Sequence, residues 1–399
     1  MFVYGQFTDS YAPIMDGVGV MVQNYAHWLT RHGHRSVVVA PRVRDYAETD
    51  DFEVVRLQSM PLPPKKPYRL QMPLLSPINR RRLETTPFTL IHAHSPFVSG
   101  TEGLRLARRQ NVPLVSTFHS KFRDDFVQVF HNDWIADTVT ANVMRFFAKA
   151  DVVWTVNEST LRTLREYGFQ GRVDIIPNGC DMMDAPHDVS GAAEALNARY
   201  GIPPQAPLLL FVGQMAAVKN PMLVVSACAE MVRAGSPCHL LMVGEGPSLQ
   251  TLRDQAQQLG IAERVHFAGV VRDRAQLAQC YNRASLFVFP SVYDNAPLVV
   301  REASAMGCPS LLLAGTNAAE GVRHGENGFL AENAELQCFA QALAQVLALS
   351  PEALRATGQR ARGTLAFSWE QVVSQVEDRY AEIHREFKGR PTRRRRSQQ

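Results

Sequence analysis

The sequence contains few cysteines and no pattern of metal-binding residues. Six cysteines occur among 399 residues, none of them in a Cys-x-x-Cys pair, and the histidines are not clustered at the spacing of metal ligands. A disulfide framework or a structural zinc site needs such patterns, so both are excluded. We therefore expect reduced thiols in or near the core of a cytosolic protein. The six residues are Cys180, Cys228, Cys238, Cys280, Cys308 and Cys338.

Long hydrophobic runs are also missing. No apolar stretch approaches the roughly 20 residues that a helix needs to cross a membrane. The first predicted strand, Phe2–Phe7, begins directly after Met1 and leaves no room for a signal peptide. We therefore expect a cytoplasmic protein that touches a membrane, if at all, from the inner face.

A large excess of charge of one sign is missing as well. The formal net charge is +4, and five of the positive charges lie near the C-terminus, at Arg390 and Arg393 to Arg396. The rest of the chain is close to neutral, which argues against a nucleic-acid-binding face. The basic tail, residues 389–399, either contacts anionic lipid or is a disordered solubilising segment.

The sequence does contain two series of alternating strand and helix patterns. A chain of 399 residues is long enough for two domains with separate cores. The first series opens with the strand Phe2–Phe7 and a helix over Val20–His32, and the second begins at Leu208. Small and polar residues from Asp184 to Ala193 indicate the linker. We predict an α/β fold with domains over residues 1–185 and 200–366.

The stretch from Leu286 to Gly321 carries the most information about a site. Leu286–Phe289 is typical of a buried strand, Pro297 suits the first residue of a helix, and Gly307 suits its end. The next strand is predicted over Cys308–Leu313. This order places a helix N-terminus at the carboxyl edge of a parallel sheet, where free amides favour phosphate.

Two acids bracket this turn, Asp294 in the loop and Glu302 inside the helix. A carboxylate accepts hydrogen bonds from paired hydroxyls, so a sugar or a ribose is its natural partner beside a phosphate. In the alternative interpretation, Asp294 only caps the helix and Glu302 is merely an exposed residue.

Two further turns of the second series contain glycine. Gly213 and Gln214 follow the first strand, and Lys219 comes shortly after them, suitable for neutralising a diphosphate or simply for a solvated surface. Gly244 to Gly246 follow the next strand, and we expect Glu245 near a ribose or base, although a plain helix-start turn explains these glycines equally well.

In the first series, histidines stand at the ends of successive strands. His92 and His94 belong to HAHSPF, and His119 belongs to STFHSKF together with Lys121. Strand ends of a parallel sheet meet in one crevice, so we expect these side chains to face a ligand. A buried structural role is the alternative for one of His92 and His94. The segment Leu62–Arg82 mixes cations, apolar residues and prolines; it is either an acceptor or membrane contact or a surface loop.

Together these motifs resemble family 4 glycosyltransferases, which are retaining enzymes of the GT-B fold. The resemblance rests on TDSYAPIMDGVGV, the two histidine strands, PNGCD, the Lys219 turn, the two acids and ENGFL, and it runs from Thr8 to about Tyr380. It implies two Rossmann-like domains facing across a cleft and a C-terminal helix over residues 367–388 that crosses back to the first domain. Most family members have Glu where this chain has Asp294, and Arg where it has Gln214.

The resemblance also assigns roles to residues. It implies that Asp294 holds the donor sugar, Glu302 the ribose, and His119 lies beside the sugar. The residues assigned to catalysis are His119, Lys219 and Asp294. Those assigned to the donor are Gly19, Gly213, Gln214, Lys219, Gly244, Glu245, Val270, Asp294, Asn295, Ala296, Pro297, Leu298 and Glu302. Those assigned to the acceptor are His92, His94 and Lys121.

The function implied is transfer of a hexose, with retention, from a UDP-sugar such as UDP-glucose to a lipid such as diacylglycerol at the cytoplasmic membrane face. No cofactor or metal is expected, because Lys219, Gln214 and the helix N-terminus would neutralise the leaving diphosphate. The alternatives are a transferase of capsule or cell-wall polysaccharide synthesis, a sugar-nucleotide epimerase of the same fold, and a non-catalytic nucleotide-binding protein.

Overall fold

The structure is a computed structural model that describes residues 1–14, 16–62, 68–184 and 191–389. The chain divides into two compact units, Met1–Asn178 with the C-terminal residues from Trp369 on, and Gly179–Ser368. The predicted basic tail, Lys65 and Lys66, and most of the predicted linker lie outside the described residues.

Strands and helices alternate along the described residues. The strands are β1 (Val3–Phe7), β2 (Arg35–Pro41), β3 (Glu53–Leu57), β4 (Ser59–Pro61), β5 (Arg69–Gln71), β6 (Leu90–Ala93), β7 (Leu114–Phe118), β8 (Val152–Thr155), β9 (Val173–Ile175), β10 (Leu208–Val212), β11 (His239–Val243), β12 (Val265–Gly269), β13 (Leu286–Phe289), β14 (Ser310–Leu313) and β15 (Phe329–Ala331). The helices are α1 (Gly17–Arg31), α2 (Pro77–Thr85), α3 (Val98–Gln110), α4 (Phe122–Phe130), α5 (Asp133–Phe147), α6 (Glu158–Glu166), α7 (Ala192–Tyr200), α8 (Pro221–Arg233), α9 (Leu249–Gln258), α10 (Arg274–Arg283), α11 (Leu298–Ala305), α12 (Leu336–Leu347), α13 (Pro351–Leu365) and α14 (Trp369–Lys388).

Each unit is built on one parallel sheet. The first has the strand order β3-β2-β1-β6-β7-β8-β9, and the second has β12-β11-β10-β13-β14-β15. All residues of β6, β7, β10, β11, β13 and β14 are buried, as expected for parallel strands covered on both faces. This confirms the predicted α/β class with two Rossmann-like units.

The direction in which strands are added reverses at one point in each sheet. The reversal lies between β1 and β6 in the first unit and between β10 and β13 in the second. The loops that follow the two strands diverge there and leave a crevice at the carboxyl edge, which is the usual ligand site of open α/β sheets.

The C-terminal helix α14 packs within the first unit. The ring of Tyr380 stacks on that of Trp154 with centroids 5.2 Å apart, and Trp369 meets Tyr25 edge-on at 6.1 Å. The prediction that this helix crosses back to the N-terminal domain is therefore confirmed.

The described part of the segment from Leu62 to Arg82 contains two short helical pieces. Pro73–Leu75 forms a 3-10 turn, and α2 follows with Pro77 in its first turn. Proline is tolerated in a first turn because the amide it lacks has no partner there. Both prolines therefore begin helical segments instead of interrupting one.

Candidate active site

The loops after β10 and β13 meet at the crevice of the second unit. The ammonium group of Lys219 forms an ion pair with Oδ1 of Asp294, and the hydroxyl of Ser291 donates to Oδ2 of the same carboxylate over 2.5 Å. Only 17% of each side chain of the ion pair is exposed. The fold therefore joins two of the three predicted catalytic residues in one charge pair.

The backbone around this pair is held by the loops themselves. Asn220 adopts a left-handed conformation, and its amide Nδ2 donates to the carbonyl of Pro290 over 3.1 Å. The ammonium of Lys219 lies 5.8 Å from the centre of the Phe289 ring, within reach of a cation–π attraction. These contacts fix Lys219 beside the sheet edge, so the interpretation of a freely solvated lysine is wrong.

The helix α11 begins directly after the loop that carries Asp294. Pro297 occupies the N-cap position without a side-chain bond to the helix, and the Asn317 amide donates to Oδ1 of Asn295 over 3.1 Å. Amides of the first turn of a helix lack carbonyl partners within it, so Leu298 and Val299 present donors at this edge. Asp294 does not cap the helix, and that alternative is wrong.

Glu302 lies inside α11 and is 7% exposed. The guanidinium of Arg274 donates to its Oε1 over 2.7 Å, and the hydroxyl of Tyr281 donates to its Oε2 over 2.9 Å. The interpretation of Glu302 as an exposed residue is therefore wrong. It is a buried, paired carboxylate on the helix that starts at the Asp294 loop.

A cavity of about 260 Å³ opens at the carboxyl ends of β10, β11 and β12. It is lined by Val212, Gly213, Gln214, Val243, Gly244, Glu245, Val270, Val271 and Leu277. Five of the predicted donor residues are among them, and the remaining walls are aliphatic. Such a mixture of apolar walls and backbone polar groups suits a planar heterocycle.

The two glycine turns of this cavity touch each other. The amide of Gly213 donates to the carbonyl of Val243 over 3.0 Å, and the amide of Met215 donates to that of Glu245 over 2.9 Å. Gly244 has φ +129°, and a Cβ atom there would lie 2.0 Å from the carbonyl oxygen of Gly213. A side chain at position 244 would therefore push the two turns apart.

His92, His94 and His119 of the first unit lie together near the ends of β6 and β7. His94 and His119 stack with ring centroids 5.9 Å apart. His92 is completely buried, and its two ring nitrogens bond to the hydroxyls of Tyr380 over 2.5 Å and Thr117 over 2.7 Å. These contacts favour the structural alternative for His92, and its assignment to the acceptor stays a prediction.

The other two residues assigned near this site differ in accessibility. Lys121 is half-buried at the N-cap of α4, two residues after His119. Gly19 is buried within α1, and its amide donates to the carboxylate of Asp16 over 2.8 Å. Asp16 caps the helix and starts it three residues earlier than predicted, so this amide is not presented to a donor phosphate here.

Burial determines the protonation of the three histidines. Desolvation, and secondarily the imidazoles of His92 and His119, hold the pKa of His94 well below its usual value. Desolvation, and secondarily the imidazole of His119, likewise lower the pKa of His92 well below its usual value. Loss of solvent around its ring lowers the pKa of His119 to about 3. All three rings are therefore neutral in the folded protein at neutral pH.

This neutrality predicts acid sensitivity of the fold. Below a pH of about 6.5 the unfolded chain binds a proton at His94 that the folded chain excludes, so stability falls as pH falls. Replacing His94→Gln, which retains a donor for Oε1 of Gln6, should reduce the slope by about 1.4 kcal/mol per pH unit between pH 6 and 5. Denaturant titrations at a series of pH values would measure the free energy of unfolding of both proteins. Near pH 8 the difference between the variant and the wild type should be independent of pH. An unchanged acid slope would contradict the assignment.

The sequence patterns missed several residues of these sites. Arg274 and Tyr281 lie on α10, whose spacing indicates only an amphipathic helix. Asp9 follows β1 at the other crevice, where it accepts from Ser99 Oγ over 2.8 Å and Gln71 Nε2 over 3.0 Å, and burial raises its pKa to about 6. An acidic residue two positions after the end of the first strand was the available signal.

Two family descriptions match the chain. The family described as Glycosyltransferase Family 4 matches residues 15–183, and that described as Glycosyl transferases group 1 matches residues 193–364. D-inositol 3-phosphate glycosyltransferase of Nocardia farcinica is 30% identical over 331 residues, which are 79% of this chain and 72% of the relative. Alpha-monoglucosyldiacylglycerol synthase of Streptococcus pneumoniae is 25% identical over 311 residues, 76% of this chain and 69% of the relative.

Solved structures show the same fold. Sucrose-phosphate synthase from Thermosynechococcus elongatus superposes with a TM-score of 0.80 at 23% identity and covers 97% of this chain and 100% of that one. The Anabaena protein HepE, in complex with UDP and glucose, gives a TM-score of 0.75 at 19% identity, with 96% and 99% covered. The two parallel sheets are thus those of the GT-B fold. The chain belongs to family 4 of the glycosyltransferases.

The described part of the chain lacks two features. None of its helices is both long and apolar enough to cross a membrane. No group of three or more His, Cys, Asp or Glu side chains in those residues is arranged to hold a metal ion.

Proposed function

We propose that this protein transfers a hexose, with retention of anomeric configuration, from a UDP-sugar to a lipid hydroxyl, with UDP-glucose as donor and diacylglycerol as acceptor. The binding of a UDP-sugar is supported by one observation, the row of suitable groups along the sheet edge of the second unit. A 260 Å³ cavity for a base, a buried acid for a ribose, a paired lysine and acid, and a helix N-terminus all lie along one sheet edge.

The base, ribose, diphosphate and sugar of the donor would lie one after another along this edge. The uracil enters the cavity, the ribose hydroxyls bond to Glu302, and the diphosphate meets the first amides of α11. The diphosphate also attracts the ammonium of Lys219, which in the ligand-free structure is paired with Asp294. When Lys219 turns to the phosphate, Asp294 is released to accept bonds from hydroxyls of the sugar.

The chemical step then breaks the bond between the anomeric carbon and the diphosphate oxygen. Lys219 and the α11 amides stabilise the negative charge that develops on UDP, with Gln214 as a neutral donor. The acceptor oxygen bonds to the same face of the sugar, and its proton passes to the departing phosphate. This charge stabilisation requires no metal in the proposed reaction.

The first unit is proposed to bind the acceptor through His119, His94 and Lys121. Neutral imidazoles can donate or accept a hydrogen bond without placing a charge beside an uncharged alcohol. The relative that is 25% identical is named for the synthesis of a glucosyl diacylglycerol, which favours a lipid acceptor.

An exposed apolar surface of the first unit supports the lipid proposal. Leu74, Leu75 and Ile78 are 77%, 60% and 83% exposed, and Arg81 on the same segment is exposed as well. Apolar side chains beside cations are typical of segments that rest on an anionic membrane. We therefore propose peripheral contact with the inner face of the cytoplasmic membrane through this segment.

The test is a transfer assay with radiolabelled UDP-glucose, UDP-galactose and GDP-mannose on vesicles containing diacylglycerol and anionic lipid. We expect organic-phase product from UDP-glucose, also with EDTA present. The double variant Leu74→Ser, Ile78→Ser should lower vesicle binding and lipid transfer about tenfold, because burying each side chain in lipid contributes roughly 1.5–3 kcal/mol before losses at a partly hydrated interface. Leu349→Ser, a change at a leucine 41% exposed in the second unit, should leave both unchanged.

A second acceptor class is favoured by the relative that is 30% identical, which is named for transfer to inositol 3-phosphate. The assay therefore includes D-inositol 3-phosphate in solution. Labelled product confined to the aqueous phase would reject the lipid acceptor but retain the transferase. Epimerised donor without any transfer, or no use of any donor, would reject the proposed reaction.

A further inference from the structure

The buried acid Glu302 is held by two donors from one face of α10. Arg274 donates to Oε1 and Tyr281 donates to Oε2, so each carboxylate oxygen accepts one of these bonds. The two residues are seven positions apart, which places them on the same side of a helix after two turns. Tyr281 is itself 1% exposed and also approaches the carbonyl of Val299 at 3.3 Å.

This arrangement leaves part of the carboxylate available. An ionised carboxylate has about four lone-pair sites on its two oxygens, and two are used here. Each oxygen can therefore accept one more hydrogen bond, and the pair fits two adjacent hydroxyls. The fixed donors on α10 determine the orientation in which these remaining sites are presented.

Arg274 has a second anchor. Its guanidinium also pairs with Asp181, just after the boundary between the two units at Asn178. Burial alone would lower the pKa of Arg274, but the charges of Glu302 and Asp181 outweigh it and raise the pKa. With a carboxylate on each side, the long arginine side chain is kept beside Glu302.

We propose that Arg274 and Tyr281 are positioning residues that aim Glu302 at the 2′- and 3′-hydroxyls of the donor ribose, and that they thereby set a preference for ribonucleotide over deoxyribonucleotide donors. The inference rests on the proposed function, because it takes the nucleotide of the donor to lie at Glu302. Neither Arg274 nor Tyr281 touches the nucleotide in this proposal; both side chains act through the acid.

The experiment measures the affinity of the full-length protein for UDP and for 2′-deoxy-UDP by calorimetry. The wild type should bind UDP at least tenfold more tightly than 2′-deoxy-UDP. Arg274→Met should weaken UDP binding about tenfold and 2′-deoxy-UDP binding less than threefold, and Tyr281→Phe should act in the same direction. Arg274→Lys, which keeps a charged donor, should restore part of the difference.

Matched variants separate this role from a general effect. Arg272→Met removes an exposed guanidinium two residues earlier and should bind both nucleotides like the wild type. Asp181→Asn leaves the bond from Arg274 to Glu302 possible and should show a smaller loss than Arg274→Met. In turnover with UDP-glucose, Arg274→Met should raise KM with kcat near the wild-type value, because ribose contacts are equal in the ground and transition states.

The measured affinities test the positioning role of Arg274 and Tyr281 separately from the use of a UDP-sugar donor. Equal losses for UDP and 2′-deoxy-UDP in Arg274→Met would show that the residue only supports the fold, and would overturn the inference. A wild type that binds the two nucleotides equally would overturn it too, while leaving the UDP-sugar donor intact. A wild type that binds neither would overturn both.

Discussion

Replacing Lys219→Ala is expected to lower kcat for hexose transfer by about 100- to 1,000-fold, the range measured when one preorganised donor to a developing anion is removed. Lys219 is the cation paired with Asp294 in the ligand-free site and the one we propose to neutralise the leaving diphosphate. Because charge on that diphosphate grows in the transition state, the loss should appear in kcat more than in KM. Initial rates with saturating UDP-glucose and acceptor would measure it.

Two other variants control for damage to the site. Lys219→Arg keeps the positive charge and should retain more activity than the alanine variant. Gln214→Ala removes an exposed neutral donor from the neighbouring turn and should cost less than tenfold. Asp294 retains its bond from Ser291 in the Lys219→Ala variant, so melting curves should show a folded protein. Unchanged turnover in a folded Lys219→Ala variant would refute the role given to this residue.

Replacing Gly244→Ala is expected to abolish measurable binding of UDP. The added Cβ would lie 2.0 Å from the carbonyl oxygen of Gly213, and φ is +129°, a conformation nearly restricted to glycine. Relief of the clash requires the turns after β10 and β11 to separate, and both turns line the proposed base cavity. We expect at least a 30-fold increase in Kd by calorimetry and a loss of about 2–4 kcal/mol in the free energy of unfolding.

A second glycine with positive φ serves as the control that separates backbone strain from the steric clash at position 244. Gly235 also has a positive φ, +76°, in the same unit, but a Cβ there meets no atom within 4 Å. Gly235→Ala should therefore cost only about 1–2 kcal/mol of stability and leave Kd for UDP unchanged. If Gly244→Ala and Gly235→Ala bound UDP equally well, the cavity between the glycine turns would not be the base site.

Local chemistry allowed the helix after Asp294 to be predicted closely. Phe289 ends a strand because Pro290 follows, and α11 lies between the Pro297 that precedes it and Gly307 with its positive φ, as the residue types indicate. The eight-residue separation of Asp294 and Glu302 then places one acid in the loop and the other in the helix. Periodicity and turn residues act over a few positions along the chain. They therefore predict where a strand ends and where the next helix begins and ends.

Local sequence patterns failed at two other positions, the start of α1 and the surroundings of His92. Asp16 starts α1 at Gly17, so Gly19 is inside the helix and not in an open loop. His92 was recognised as standing in a strand, but its burial depends on Tyr380 of α14, which is 288 positions away along the chain. Neither result follows from the residues next to the one concerned.

The sequence by itself determined the two α/β series, the position of the helix start at the sheet edge, and the residue types that could meet a sugar nucleotide. Only the tertiary structure decided that Lys219 pairs with Asp294, 75 positions away, and that Arg274 and Tyr281 hold Glu302. The reason is physical: local patterns specify which segments become strands and helices, whereas strand order and side-chain packing determine which distant residues come within hydrogen-bonding distance.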